Sequence, residues 1–453
     1  MADRDLTRGA VAPTLLKTSA PMTIGVLSVM SIGLADALYL ARYSDAALAA
    51  SGFVFPLTTT IASFGIGMSA GASSVVARAI GAGERARAGR ISAHGIGLGF
   101  LLGLAVMAAL LAFGPLLFRL MGAEGRVAAD IDGYVFWWSL SIPPLIASMV
   151  VTAILRSYGD TVSSAIILSL IAIINIGVGP FVIFGWAGLP EMGAAGAGLA
   201  TLIARVAGLI VCLVWVVAIT GHVRRACVTW QGVGPSVAAI MAVAVPAAAG
   251  NALNPFGMLV VTAAVATVGA DAVAGFGTAT RIQAFAVVPL LALSAAVGPM
   301  VGQNWGAQRQ DRSRDTLLSA WACVWAWCLV LGLVFTLAAP ELMALAMKTG
   351  RAQDFAVAYL RIVGLSLAGY GMTIIVNASL NALGQAWKGM ALSFFRAVIV
   401  YSGCAWLLVE AHGYGGVLAA AVLANGLAAL AAVAAAARAG LVVLVARPKT
   451  AEV

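Results

Sequence analysis

The sequence predicts an all-α polytopic membrane protein, with twelve transmembrane helices built as two parallel six-helix repeats around a central cleft. Three observations lead there. Hydrophobic residues make up 62% of the chain and charged residues 9%, with a mean hydropathy of +1.02, which excludes a water-soluble globule. Twelve apolar runs are each long enough to cross the hydrocarbon core, which takes about 20 residues. The two halves of the chain also match each other at a constant offset.

The runs fall at 15–41, 46–77, 92–121, 133–155, 162–187, 193–220, 237–268, 272–303, 316–346, 356–383, 389–411 and 414–446. They lack strand alternation and are rich in Ala, Leu, Gly and Val, so they read as helices and not as barrel strands. The 51 glycines and abundant alanines let helices approach closely where lipid supplies no hydrophobic drive. The N-terminal MADRDLTRGAVAPTLLK lacks the short apolar core and small-residue cleavage site of a signal peptide, so the first run is expected to stay in the mature chain.

An even number of spans puts both termini on one side. Sixteen Lys and Arg residues, among them Arg4, Arg447 and Lys449, fall on the termini and even-numbered connections. Only Arg42, Arg119, Arg126, Lys348 and Arg351 fall on the opposite side. This bias predicts that both termini are cytoplasmic. The net charge of +9 reads as loop charge of this kind, and no basic block interleaved with aromatics points to nucleic acid.

The repeat has a clean register. An offset of 225 carries Pro21 to Pro246, Gly52 to Gly277, Gly81 and Arg87 to Gly306 and Arg312, Tyr134 and Ser141 to Tyr359 and Ser366, and Gly159 to Gly384. The register then drifts, and Gly193 and Gly416 read as parts of equivalent turns. The predicted domains are an N-terminal lobe at 1–221, a cytoplasmic linker at 222–235 and a C-terminal lobe at 236–453. Each lobe has an even number of spans, so both insert the same way up. The axis relating them then runs along the membrane normal, as in transporters built from parallel repeats.

Asp36 is the one acidic residue well inside an apolar run; the other sixteen lie in tails or near segment ends. An intramembrane carboxylate is costly and is a functional candidate for that reason. It lies fifteen residues after Pro21, roughly 22 Å along a helix and in the outward half of the membrane. The five cysteines show no metal spacing and no disulfide is expected. His94, His222 and His412 are scattered, so no enzymatic constellation forms, and the chain is expected not to be an enzyme. The loops GAGERARAG and WGAQRQDRS lack Walker spacing, which leaves ATP coupling unsupported. No ring of like charge suggests a channel filter.

The runs YSDAALAASGFVFPL and GIGMSAGASSVVARAIGAGERARAGR, the mirrored run GADAVAGFGTATRIQAFAVVPLLALSAAVGPMVGQNWGAQRQDRSRD, and NIGVGPFVIFGWAGLPEMGAAGAGLAT resemble the signatures of multidrug and toxic compound extrusion (MATE) transporters. The resemblance covers essentially the whole chain, and is to the prokaryotic branch with an aspartate in the first helix, which implies the inner membrane of a prokaryotic cell. It implies a secondary antiporter that exports lipophilic, often cationic compounds in exchange for H⁺ or Na⁺ by alternating access. The alternative in the same broad fold is a flippase for a lipid-linked oligosaccharide or another amphipathic lipid, though such relatives usually carry extra helices and more basic cavities. The resemblance places cation coupling on Asp36, Asn175 and Thr201, the residues that would also hold Na⁺. It departs from the family pattern at Gly179, where a second aspartate is expected. With that acid missing, a proton at Asp36 is the simpler coupling ion, and no cofactor is expected.

Pro21 and Pro246 each free a backbone carbonyl and either bend their helices or mark helix starts. Phe53, Phe136, Trp137, Trp138 and Tyr370 are aromatic candidates for the cleft, where a flat cation would find π faces. Arg281, in the TRIQAF motif, is a further cleft candidate, with packing support the stronger reading. Arg205 and Arg396, also embedded in apolar runs, read as snorkelling or carbonyl-satisfying residues. The expected partners are amphipathic small molecules and the lipid bilayer, and a chain with its own two-fold cleft is expected to be a monomer.

Overall fold

The computed structural model describes residues 5–120, 122 and 125–443; Arg4, Arg447 and Lys449 lie outside these. Among the described residues, sixteen α-helices make up twelve membrane crossings. The first lobe holds α1 (Val11–Tyr43), α2 (Asp45–Gly81), α3 (Arg85–Leu120), α4 (Gly125–Leu140), α5 (Ile142–Ser157), α6 (Thr161–Ile183) and α7 (Gly193–Val214). The second holds α8 (Val233–Ala266), α9 (Ala270–Ala286), α10 (Val288–Gly306), α11 (Gln310–Ala346), α12 (Arg351–Val363), α13 (Leu367–Ala382), α14 (Ala386–Phe394), α15 (Gly403–His412) and α16 (Tyr414–Arg438). Among the described residues, nine stretches are long and apolar enough to span alone. Three more spans are bent pairs: α4–α5 and α9–α10, each by 43°, and α12–α13 by 62°. Large apolar side chains such as Phe113, Leu337 and Leu345 face outwards, as lipid contact requires.

The repeat is visible in the backbone. The α4–α5 break falls at Ser141 and the α12–α13 break at Ser366. Each hydroxyl donates to the carbonyl three residues back, Trp138 at 2.5 Å and Val363 at 2.7 Å. The turn at Gly159 has φ +83° and its counterpart Gly384 φ +77°. Gly83 at φ +81° is matched by Gln308 at φ +59°, so the turn keeps its left-handed residue even without glycine. Towards the end of each lobe the offset changes. Gly193 and Gly413 both have φ +54°, so the turn equivalent to Gly193 is built at Gly413, and Gly416, the residue paired with Gly193 on sequence, lies inside α16.

Helix ends follow ordinary capping chemistry. Ser44, in extended conformation, ends α1 and caps α2 by accepting from the Ala47 amide at 3.1 Å. Asp160 caps α6, accepting from the Ser163 amide at 3.0 Å. The segment 222–235 folds back under the first lobe, where His94 Nε2 pairs with the Thr229 carbonyl at 2.8 Å and the His222 ring stacks on Tyr158 at 3.8 Å.

Each lobe has its own apolar core, but the first helix of each lobe begins in the other lobe's core. Leu6 and Leu15 pack in the second core, and Ile240 and Ala244 in the first. Pro21 and Pro246 follow directly after these crossing segments, inside α1 and α8 and not at their starts.

The lobes are sealed together at the end that carries both described chain ends. A Cβ on Gly81 would lie 2.0 Å from the Gln303 carbonyl oxygen, and one on Gly306 2.2 Å from that of Arg78, so only glycine permits these approaches. Ser74 Oγ donates to the Asn381 carbonyl at 2.6 Å and Arg78 Nη1 to that of Leu383 at 3.3 Å. Gln303 Nε2 donates to the Ser157 carbonyl at 2.7 Å, while its Oε1 accepts from the Leu6 amide at 3.2 Å. Arg309 and Arg312 tie down the N-terminal segment through the carbonyls of Thr7 and Gly9, both at 2.8 Å. Within that segment Asp5 accepts from Thr7, which holds its carboxyl below the usual carboxylate range.

A Cβ on Gly302 would lie 2.9 Å from the Cβ of Ala77, nearer than the roughly 3.8 Å of a disulfide, so a small outward shift of the two helices would seat a cysteine pair there. An Ala77→Cys/Gly302→Cys pair, in a chain otherwise free of cysteine, should therefore crosslink on mild oxidation. After cleavage at a protease site placed in 222–235, the halves should stay joined on a non-reducing gel. Halves that separate under these conditions would contradict the sealed end.

Candidate functional site

Two polar features within the apolar bundle bear on function: a group of polar side chains inside the first lobe and a cleft between the lobes. The polar group draws on α1, α6 and α7, which pack against one another. Asp36 projects from α1. Its Oδ1 is buried and has no hydrogen-bond partner among the described residues. Asn175, on α6, donates from Nδ2 to Thr201 Oγ1 at 3.2 Å, and Thr201 donates onward to the Ala197 carbonyl at 3.0 Å. Asn175 Oδ1 is also buried without a partner. The structure thus joins Asn175 to Thr201 directly, and leaves one unpartnered acceptor oxygen on Asp36 and one on Asn175.

The residue that connects Asp36 to the rest of the lobe is Arg205. It lies one turn beyond Thr201 on α7, on the same helix face. Its charge is felt by Asp36 and by Tyr134, yet no ion pair forms between Asp36 and Arg205. Instead Nη1 donates to Ser141 Oγ at 2.6 Å, at the break of the bent span, and the guanidinium lies 5.7 Å from the Trp138 ring. The second lobe has a neutral counterpart: Asn425 Nδ2 donates to Ser366 Oγ at 2.9 Å, at the equivalent break.

Gly179 explains its own departure from the expected aspartate. A Cβ there would lie 3.1 Å from the Tyr39 ring, which fills the space an acidic side chain would need. The Tyr39 hydroxyl donates to the Ile176 carbonyl at 3.1 Å, one turn of α6 earlier.

The cleft between the lobes has a volume of about 820 Å³, within the range of small-molecule sites. Residues from both lobes line it, including Pro246, Phe55, Tyr370, Asn254 and Asn377, together with Arg156, Arg205 and Arg396. Among the described residues no Asp or Glu lines it, and Asp36 is not on its surface.

Of the cleft residues expected from sequence, Tyr370 lines the wall and the other five, Phe136 among them, do not. Phe53 packs at the edge of the first core. Trp138 is buried beneath Arg205, beside Tyr134. Trp137 packs edge-on against Phe136 at 5.3 Å and against the α7 backbone at Gly198. Arg281 is exposed on α9, away from the cleft. Sequence reasoning also set Arg205 and Arg396 aside as snorkelling residues, whereas both reach the cleft. The signal available was their depth: each is far from either end of its apolar run.

The comparisons with known proteins agree with this architecture. A family model, MatE, matches the chain twice, over residues 21–181 and 246–406. The chain belongs to the MatE family. The second match starts and ends 225 residues beyond the first, the offset that carries Pro21 to Pro246. This MATE chain is 30% identical over 430 residues to the FAD transporter of Shewanella oneidensis strain MR-1, covering 94% of each chain. It is 25% identical over 432 residues to the probable multidrug resistance protein NorM of Caulobacter vibrioides, covering 92% of this chain and 89% of that one. Among solved structures, the Vibrio cholerae MATE transporter VcmN in its bent form superposes with a TM-score of 0.89 at 28% identity, covering 95% of this chain and 97% of that one. The protein is a polytopic membrane transporter of this family.

The tight fit at Gly179 makes a prediction about its packing. Gly179→Asp should overpack against Tyr39 and cost about 1–3 kcal/mol, read as a lowered melting temperature in detergent. Combining it with Tyr39→Ala should recover part of the loss. An unchanged melting temperature for the single variant would contradict the packing described here.

Proposed function

We propose that this MATE transporter exports amphipathic small molecules by alternating access, in exchange for a proton taken up at Asp36. The observation that carries the reading is the unpartnered, buried Oδ1 of Asp36 beside an arginine that reaches both this polar group and the cleft. A lone carboxylate in such surroundings is relieved of its charge by taking up a proton. Asp36 is absent from the cleft wall, so proton and cargo do not compete for one ligand. They are coupled through the two arrangements of the lobe, with Arg205 as the connecting group. Here Arg205 rests on Ser141 and leaves Asp36 unpaired; an arrangement in which it turned to pair with Asp36 would favour loss of the proton.

Sodium fits the same polar group less well. A hard cation wants several oxygen ligands. Thr201 Oγ1 is already engaged with Asn175 and Ala197, and Gly179 offers no side-chain oxygen. The excess of Lys and Arg at the end carrying the termini supports placing that end in the cytoplasm of a prokaryotic cell, with the chain acting as a monomer. The sealed end is then the inner one, and the structure is an outward-facing state in which Asp36 loads from outside. The relatives' named roles, FAD transport and multidrug resistance, support a small-molecule exporter.

Proteoliposomes loaded with FAD or ethidium test this reading under separately imposed gradients. An outside-acid pH gradient should speed efflux of at least one cargo, a sodium gradient should not, and Asp36→Asn should abolish the acceleration. Sodium-driven efflux, or a pH response unchanged in Asp36→Asn, would contradict it.

A further inference from the structure

We infer that the central cleft is built for an anion: a planar ring compound carrying phosphate or pyrophosphate groups. This names the cargo class of the cleft and rests on the export reading above. Three guanidinium groups face the cleft, Arg156 from α5, Arg205 from α7 and Arg396 from the widened turns between α14 and α15. All of their hydrogen bonds go to neutral groups. Arg156 Nη1 donates to Ser164 Oγ at 3.0 Å, and Arg205 Nη1 to Ser141 Oγ at 2.6 Å. Arg396 donates from Nε and Nη2 to Asn425 Oδ1, and from Nη1 to Asn254 Oδ1, all at 3.2 Å. Among the described residues no carboxylate lines the cleft to balance them. The ion pairs among the described residues lie instead on exposed turns, at Asp5–Arg8, Glu84–Arg87 and Asp311–Arg314.

Fixed positive charge inside a membrane is costly and marks a pathway for the opposite charge. The forked guanidinium matches phosphate oxygens in pairs. Arg156 and Arg205 each keep most of their N–H groups free for that purpose. Tyr370, whose ring lies 4.0 Å from the Arg396 guanidinium, and Phe55 supply ring surface beside the charges. A flat organic cation entering the same space would meet three like charges and no carboxylate on the wall, Asp36 lying off it behind Arg205. Because the charges come from both lobes, a bound anion would also bridge them.

The sign of the cargo changes the electrical balance. Exchange of one proton for a singly charged cation moves no net charge. Exchange of a proton for an anion moves positive charge in and negative charge out, so an inside-negative membrane potential drives it.

The test uses the full-length protein in lipid nanodiscs with three probes: FAD, riboflavin (the same ring without phosphate) and ethidium (a flat cation). Fluorescence titration should show FAD binding about tenfold or more tighter than riboflavin, in keeping with charge-assisted hydrogen bonds, with ethidium weakest. Arg156→Gln and Arg396→Gln, each checked for an unchanged melting temperature, should weaken FAD towards riboflavin, and Arg396→Lys should retain part of the difference. In proteoliposomes, a valinomycin-imposed inside-negative potential should accelerate FAD efflux. Ethidium bound as tightly as FAD, FAD bound no better than riboflavin, or both Gln variants binding FAD like the wild type would overturn the proposal. Binding is read without any gradient, so it stands or falls independently of proton coupling at Asp36.

Discussion

An ionisable group in the middle of a lipid-spanning bundle persists only if protein shields it from the hydrocarbon and gives it something polar to face. That constraint organises the interior of this chain. Asp36 is set inside one lobe among α1, α6 and α7, and the cleft arginines are anchored on hydroxyl and amide groups. The surrounding helices are free to be apolar on every side because so few positions carry charge. The small-residue packing that brings backbones into contact, at Gly81, Gly306 and their neighbours, then decides which arrangement of the lobes encloses those charges.

Breaks in the helices occur where charged and polar groups gather. Ser141 and Ser366 sit at equivalent bends and both receive a hydrogen bond from the last helix of their lobe, Arg205 in one case and Asn425 in the other. The repeat is therefore symmetric in backbone and asymmetric in charge. The first lobe carries the carboxylate and pairs its bend with a cation. The second replaces that cation with Asn425, which in turn holds Arg396 at the cleft. Under the proposed function, one lobe senses the proton and the two together form the surface that meets cargo. Duplication followed by divergence of a few polar side chains is enough to separate these tasks.

Much of this was legible in the sequence. Span number, repeat offset and the singular position of Asp36 follow from hydropathy and from counting, because a transmembrane helix is long and a buried acid is rare. The bends at Ser141 and Ser366 were not legible, since a bent span has the same composition as a straight one. The cleft aromatics were misassigned for a related reason. Helices that are apolar all round give no periodic signal to say which face meets a partner helix and which meets the cleft. Phe53 and Phe55, two residues apart, illustrate it: the first packs at the core and the second lines the cleft. Arg205 and Arg396 were visible as embedded charges, but their direction required the packing of α7 and α16. Gly179 was visible as a departure, while its cause, the Tyr39 ring, came only with the contact between α1 and α6.

The claim on which this account turns is that the Asp36 carboxyl gains and loses a proton within the first lobe. Infrared difference spectra between acid and alkaline pH, taken on the protein in lipid with sodium replaced by potassium, address it directly. The account predicts a protonated-carboxyl band that is absent in Asp36→Asn and moves when Asn175→Ala alters its surroundings. Identical spectra for wild type and Asp36→Asn would show that Asp36 does not titrate, and would remove it from the mechanism.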